Sequence, residues 1–106
     1  RARACEVAVA SNAAACELKL GKHEECVSRC NFVLKLEPSN VKALYRKAQA
    51  LRALGEDAEE SPEAVLRQAA SLDPGDAAIQ KELANIARQR RREKDLEKHV
   101  AKKMLG

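Results

Sequence analysis

Two punctuation marks recur along this chain at nearly the same interval. A helical run ends in Leu-Gly at Leu20-Gly21 and again at Leu54-Gly55, thirty-four residues on. A second run ends in Leu-acid-Pro at Leu36-Glu37-Pro38 and again at Leu72-Asp73-Pro74, thirty-six residues on. Each unit reads as helix, glycine turn, helix, proline stop. The second carries about two more residues, most simply in "DAEES" at 57–61. Glycine ends a helix in the left-handed region without the penalty of a Cβ. Proline lacks the N–H that would carry a helix on. Ser61 followed by Pro62 supplies a cap and a first-turn proline for the second helix of its unit. A unit this small cannot bury its apolar face alone, so repetition implies a stack of helical hairpins.

Composition points the same way. The 106 residues suffice for one small domain, and one Tyr, one Phe and no Trp leave a core of Leu, Val, Ile, Ala and Cys. Small side chains suit closely packed helices, and no strict alternation suggests strands. No apolar run is long enough to span a membrane. The chain opens "RARACEV" without Met and reads as a fragment or a trimmed piece. Residues 77–106 hold nine Lys/Arg and four Asp/Glu, against eleven and twelve in the remainder. The net charge of +4 therefore resides in the C-terminal segment.

A period near thirty-four with a mid-unit turn and a closing proline is the tetratricopeptide signature. The expected fold is all-α, a tetratricopeptide helical-hairpin superhelix with a long C-terminal capping helix. Residues 1–75 would hold two repeats, about 7–40 and 41–75, and residues 76–106 a basic capping and extension helix. In that last run Ile79, Leu83 and Ile86 keep helical spacing and should pack on the second repeat. "RQRRREKD" (88–95) has no large apolar residue and should project into solvent, with Leu96, Val100 and Met104 forming a new apolar line beyond it. Two repeats fall short of the usual three. The expectation is that a preceding repeat has been cut away or is supplied by another chain, with a dimer through the open N-terminal end as one arrangement.

Of the four cysteines, Cys26 and Cys30 occupy packing positions of a second helix, and Cys16 falls on a packing position of a first helix. All three are expected in the core as small apolar residues. No His or Cys pair completes a zinc spacing, and no metal or cofactor is expected. His23 stands where an aromatic commonly packs. There is no Ser/His/acid set and no glycine-rich phosphate loop, so the chain itself is not expected to be an enzyme.

The repeat brings one candidate site together. Asn12 and Arg46 are thirty-four apart, hence equivalent on successive first helices, which line the concave face; Lys42 lies one turn before Arg46. An amide and two cations in one groove suit the carboxylate of an extended peptide. The competing reading is a plain solvated helix face. Against it stand the shared repeat position and the lack of an acid within one turn.

Residues 9–76, notably "SNAAACELKLGKHEECVSRCNFVLKLEPSNVKALYRKAQALRALGE", resemble the tetratricopeptide domain of multidomain FK506-binding immunophilins. The resemblance implies that Asn12, Lys42 and Arg46 belong to a two-carboxylate clamp for the C-terminal aspartate of Hsp90-type chaperones ending in Glu-Glu-Val-Asp. A Lys and an Asn of a preceding repeat would complete it. It also implies a co-chaperone role and a peptidyl-prolyl isomerase domain elsewhere in the parent. "KKMLG" (102–106) resembles the end of the soluble part of the membrane-anchored immunophilin. Membrane attachment would then come only through a segment beyond this chain. The implied location is the cytoplasm, or the cytosolic face of an organelle if the parent is tail-anchored.

For the basic helix, Arg88, Arg90, Arg91, Arg92, Lys94 and Lys98 mark a surface with three readings: a solvated projection, a calmodulin-type target, which the resemblance also implies, or a membrane-surface or nucleic-acid contact. Glu93, Asp95 and Glu97 among the cations argue against nucleic acid.

Overall fold

The computed structural model describes residues 2–105, and every regular element among them is helical. Helix α1 is Ala2–Lys19, α2 His23–Leu36, α3 Val41–Leu54, α4 Pro62–Leu72 and α5 Ala77–Leu105. The α1–α2 and α3–α4 pairs form two stacked hairpins, and α5 closes the second. The all-α tetratricopeptide architecture with its long terminal helix is thus present as the periodicity predicts.

Local chemistry accounts for the boundaries. Gly21 takes φ +78° after α1. There the Lys22 N–H reaches the Glu17 carbonyl at 2.8 Å and the Gly21 N–H the Leu18 carbonyl at 3.2 Å, the paired bonds that close a helix on a left-handed glycine. Gly55, at φ +60°, ends α3 and begins a single 3-10 turn, Gly55–Asp57, that absorbs part of the longer second connection. The Asn40 side chain accepts from the Ala43 N–H at 3.0 Å, capping α3, and Ser61 accepts from the Ala64 N–H at 3.3 Å, capping α4. Each such cap typically contributes about 1 kcal/mol. Helices α2 and α4 stop two residues before Pro38 and Pro74.

Packing divides along the hairpin seams. Leu44, Ala48 and Leu51 of α3 meet Val65, Leu66 and Ala69 of α4 and Ile79 and Ile86 of α5. On its other side α3 gives Ala43 to a cluster with Val7, Ala10 and Val33, and Ala50 to a cluster with Ala14, Cys26 and Cys30. Alanine and cysteine at these seams let the helices approach closely. Fully burying a side chain such as Leu51, Leu66 or Ile79 is worth about 1.5–3 kcal/mol each.

Two cysteines are core and two are not. Cys26 and Cys30 are buried, whereas Cys5 and Cys16 are exposed. The expectation for Cys16 is corrected: it sits away from the Val7–Ala10–Ala14 stripe that α1 presents to its neighbours. His23 is half-buried, with Nδ1 shielded and without a hydrogen-bond partner. Burial, with Cys26 alongside, pushes the Cys30 thiol up to about 12. It is therefore an inert apolar group at neutral pH.

Candidate peptide-binding groove

The first helices of the hairpins and the start of α5 enclose a groove of about 450 Å³. Its α1 wall is Ala15, Leu18 and Lys19, and its α3 wall includes Lys42, Tyr45, Arg46 and Gln49. Lys42 and Arg46 share the groove because they are one helical turn apart on the concave side of α3. Arg46 is half-buried and Lys42 exposed. One guanidinium nitrogen of Arg46 donates to the Ser11 carbonyl of α1 at 3.2 Å, which fixes the side chain across the seam. Asn12 follows Ser11 directly. It is exposed and stands one turn before Ala15, outside the walls of this groove. The groove thus joins Lys42 and Arg46, whereas Asn12 is not among the residues that line it.

Two groove residues were not legible in the repeat. Lys19 adds a third cation from α1. Asp76 adds an acid from the residue that caps α5, whose start borders the groove. The Asp76 carboxylate is already engaged, accepting from the Ala78 N–H at 2.9 Å and the Ile79 N–H at 3.2 Å as the cap of α5. Among the described residues Lys19, Lys42 and Arg46 enter no ion pair; the pairs formed are Arg29–Glu17, Lys47–Glu60, Arg52–Glu82, Arg67–Glu63 and Arg90–Glu63. The Tyr45 hydroxyl, raised in pKa first by burial and then by Glu82 and Asp76, stays a protonated donor at the groove wall.

Residues 87–105 of α5 are exposed throughout. Arg88, Arg91, Arg92, Lys94 and Lys98 all face solvent. Arg90 differs, since it is tied to Glu63 of α4. Leu96 (63 % exposed) and Met104 (81 %) lie on an open apolar line with Val100. No helix among the described residues is long and apolar enough to cross a membrane.

No family model matches the chain. Curated relatives do, among them the peptidyl-prolyl cis-trans isomerase FKBP42 of Arabidopsis thaliana, 40 % identical over 78 residues, which are 74 % of this chain and 21 % of that protein; a human FK506-binding protein-like protein, 40 % identical over 76 residues, 72 % of this chain and 21 % of that one; and its mouse namesake, 36 % identical over 83 residues, 78 % and 23 %. The chain spans about a fifth of the length of these relatives. Among solved structures it superposes on the Hsp90 co-chaperone Cns1 of Saccharomyces cerevisiae with a TM-score of 0.85 and 27 % identity, over 95 % of this chain and 32 % of that one. The hairpin stack and these likenesses agree: the chain has a tetratricopeptide fold and is similar in sequence to a stretch of FK506-binding relatives.

Proposed function

We propose that this domain is the interaction module of an immunophilin-type co-chaperone, and that its groove receives the acidic C-terminal peptide of an Hsp90-type chaperone. The observation that carries the reading is the set of groove cations without a carboxylate partner among the described residues. Lys42 and Arg46 engage the terminal carboxylate, Lys19 draws in an upstream acid, and the exposed Asn12 of α1 donates its amide to the peptide. Arg46 is already held by the Ser11 carbonyl, so little side-chain freedom is lost when it binds. In the parent polypeptide the module would carry a peptidyl-prolyl isomerase domain to the chaperone. Support comes from the names and greater length of the FK506-binding relatives and from the co-chaperone neighbour.

Calorimetry with a peptide ending in Glu-Glu-Val-Asp tests the reading. A charge-assisted hydrogen bond is worth about 1.5–3 kcal/mol. Lys42→Glu combined with Arg46→Ala should therefore weaken binding by at least about tenfold. Amidating the peptide's terminus should do the same. Equal affinity across these pairs rejects the groove as a carboxylate receptor.

The uncovered length of α5 favours a second reading, a calmodulin-regulated surface through Arg88, Arg90, Arg91, Arg92, Lys94 and Lys98. A calcium-dependent mobility shift with calmodulin, abolished by neutralising Arg90–Arg92, is its signature. No shift at micromolar concentrations removes it.

A further inference from the structure

The concave groove holds charge of both signs that does not cancel. Lys19, Lys42 and Arg46 supply the cations from α1 and α3, and Asp76 supplies the acid from the cap of α5. Among the described residues no Lys or Arg is ion-paired to Asp76. The half-buried Asp76 uses one oxygen, Oδ1, to accept from both the Ala78 and the Ile79 N–H. Its Oδ2 enters no hydrogen bond among the described residues. An ionised carboxylate has about four acceptor sites, so capacity is left over for a ligand.

Capping α5 does not require that charge. Helix α3 begins at the equivalent place, thirty-six residues earlier, and there the neutral Asn40 accepts from the Ala43 N–H at 3.0 Å. Asn and Asp cap helices about equally well. The negative charge at position 76 is therefore surplus to the cap. Its field is felt along the groove wall: the Tyr45 hydroxyl is kept protonated by burial first, then by Glu82 and Asp76. A carboxylate also suits the positive end of a helix. That role acts on stability and leaves untouched what the groove accepts.

We propose that Asp76 is a specificity-determining residue of the groove, which excludes a second acid on the α5 side and admits a hydrogen-bond-donating side chain there. The proposal rests on the reading of the groove as a receptor for a terminal carboxylate. Helix α3 is joined to α1 through Arg46 and Ser11, and to α5 through Leu44 and Leu51 against Ile79 and Ile86. Lys19 and Asp76 thus approach the groove from different neighbours of α3. Successive side chains of an extended peptide point to opposite sides. Of two adjacent acids upstream of the terminus, one turns toward Lys19 and the other toward Asp76, where like charges repel. The fitting ligand has a free C-terminal carboxylate, one upstream acid and, beside that acid, an amide or other donor. A tail with acids at both places fits less well.

Calorimetry of the 106-residue chain with peptides ending in Glu-Glu-Val-Asp, Gln-Glu-Val-Asp and Glu-Gln-Val-Asp tests this. One of the two Gln peptides should bind about two- to fivefold more tightly than the Glu-Glu peptide, the span of an exposed charge interaction. Asp76→Asn should erase that preference while keeping the cap, as Asn40 does for α3. Asp76→Ser, with the cap chemistry of Ser61, makes the same comparison if the Asn variant is unfolded by circular dichroism. A parent chain that favours Glu at both positions overturns the proposal, and so does a preference for Gln that survives the substitution. Binding that weakens on amidating the peptide terminus, with peptide preference unchanged by Asp76→Asn, overturns this proposal alone and leaves the carboxylate receptor standing. No binding of any peptide, or equal affinity after amidation and in Lys42→Glu/Arg46→Ala, rejects the receptor and this proposal with it.

Discussion

Helix α5 runs unbroken from Ala77 to Leu105, yet its two ends are helical for different reasons. The first three turns are held by what they bury. Ile79 is 0 % and Ile86 8 % exposed, Leu83 packs beside them, and Arg52 of α3 is ion-paired to Glu82. The remainder, 87–105, touches solvent on every side. It has no core to lean on, and its helicity comes from residues of good intrinsic propensity and from continuation of a nucleus already formed. At the junction Arg90 reaches Glu63, which also pairs with Arg67 at 2.5 Å. Packing thus specifies one arrangement for the body, whereas propensity makes the arm a helix without saying what it should touch.

Mutation tests that contrast most directly. Ile79→Ala should destabilise the domain by about 2–5 kcal/mol in chemical denaturation, the usual cost of emptying a buried aliphatic site. Leu96→Ala should stay within about 0.5 kcal/mol of the parent. Similar losses at the two positions would mean that the arm is packed in solution. Alkaline titration comes next. The folded Cys30 thiol sits at about 12, above the ordinary 9.0. Its stabilisation is complete below pH 9 and is lost as pH rises toward the folded value. Stability should therefore fall by about 1.4 kcal/mol per pH unit from this group above pH 9, and Cys30→Ala should lack that component. The smallest effect concerns the arm itself. Ending the chain after Lys94 should shift the denaturation midpoint of the body hardly at all, by about 0.5 kcal/mol or less, because among the described residues none beyond Ile86 is buried.

The legible features were those written in local chemistry. Gly21, Gly55, the Ser61-Pro62 pair and the two helix-stopping prolines each act within a turn of their own position, so the sequence alone places the hairpins. Ile79 and Ile86 were legible because spacing marks a buried face. Cys16 differs from expectation for a related reason: its position in the repeat is a packing position, but among the described residues it joins no core cluster and stays exposed. Asp76 is not legible as a groove residue because it reaches the groove from the cap of α5, more than twenty residues beyond the helix that holds Lys42 and Arg46. Lys19 was passed over because nothing in its own helix distinguishes a groove lysine from a surface one. The Arg90–Glu63 pair joins residues twenty-seven apart, and no periodicity announces it.

The projecting arm also governs how the molecule moves as a whole. The Cα radius of gyration is 16.6 Å and the principal extents are 66 × 29 × 19 Å. A compact chain of this length would have a radius of about 13 Å. Most of that excess is one helix carrying the mass of nineteen residues away from the centre. Such a body turns quickly about its long axis and slowly across it. Amide vectors that lie along the long axis reorient only through the slow end-over-end motion and will relax unlike those lying across it. The hydrodynamic radius of a single chain will exceed that of a sphere of equal mass, so elution volume alone overstates its size.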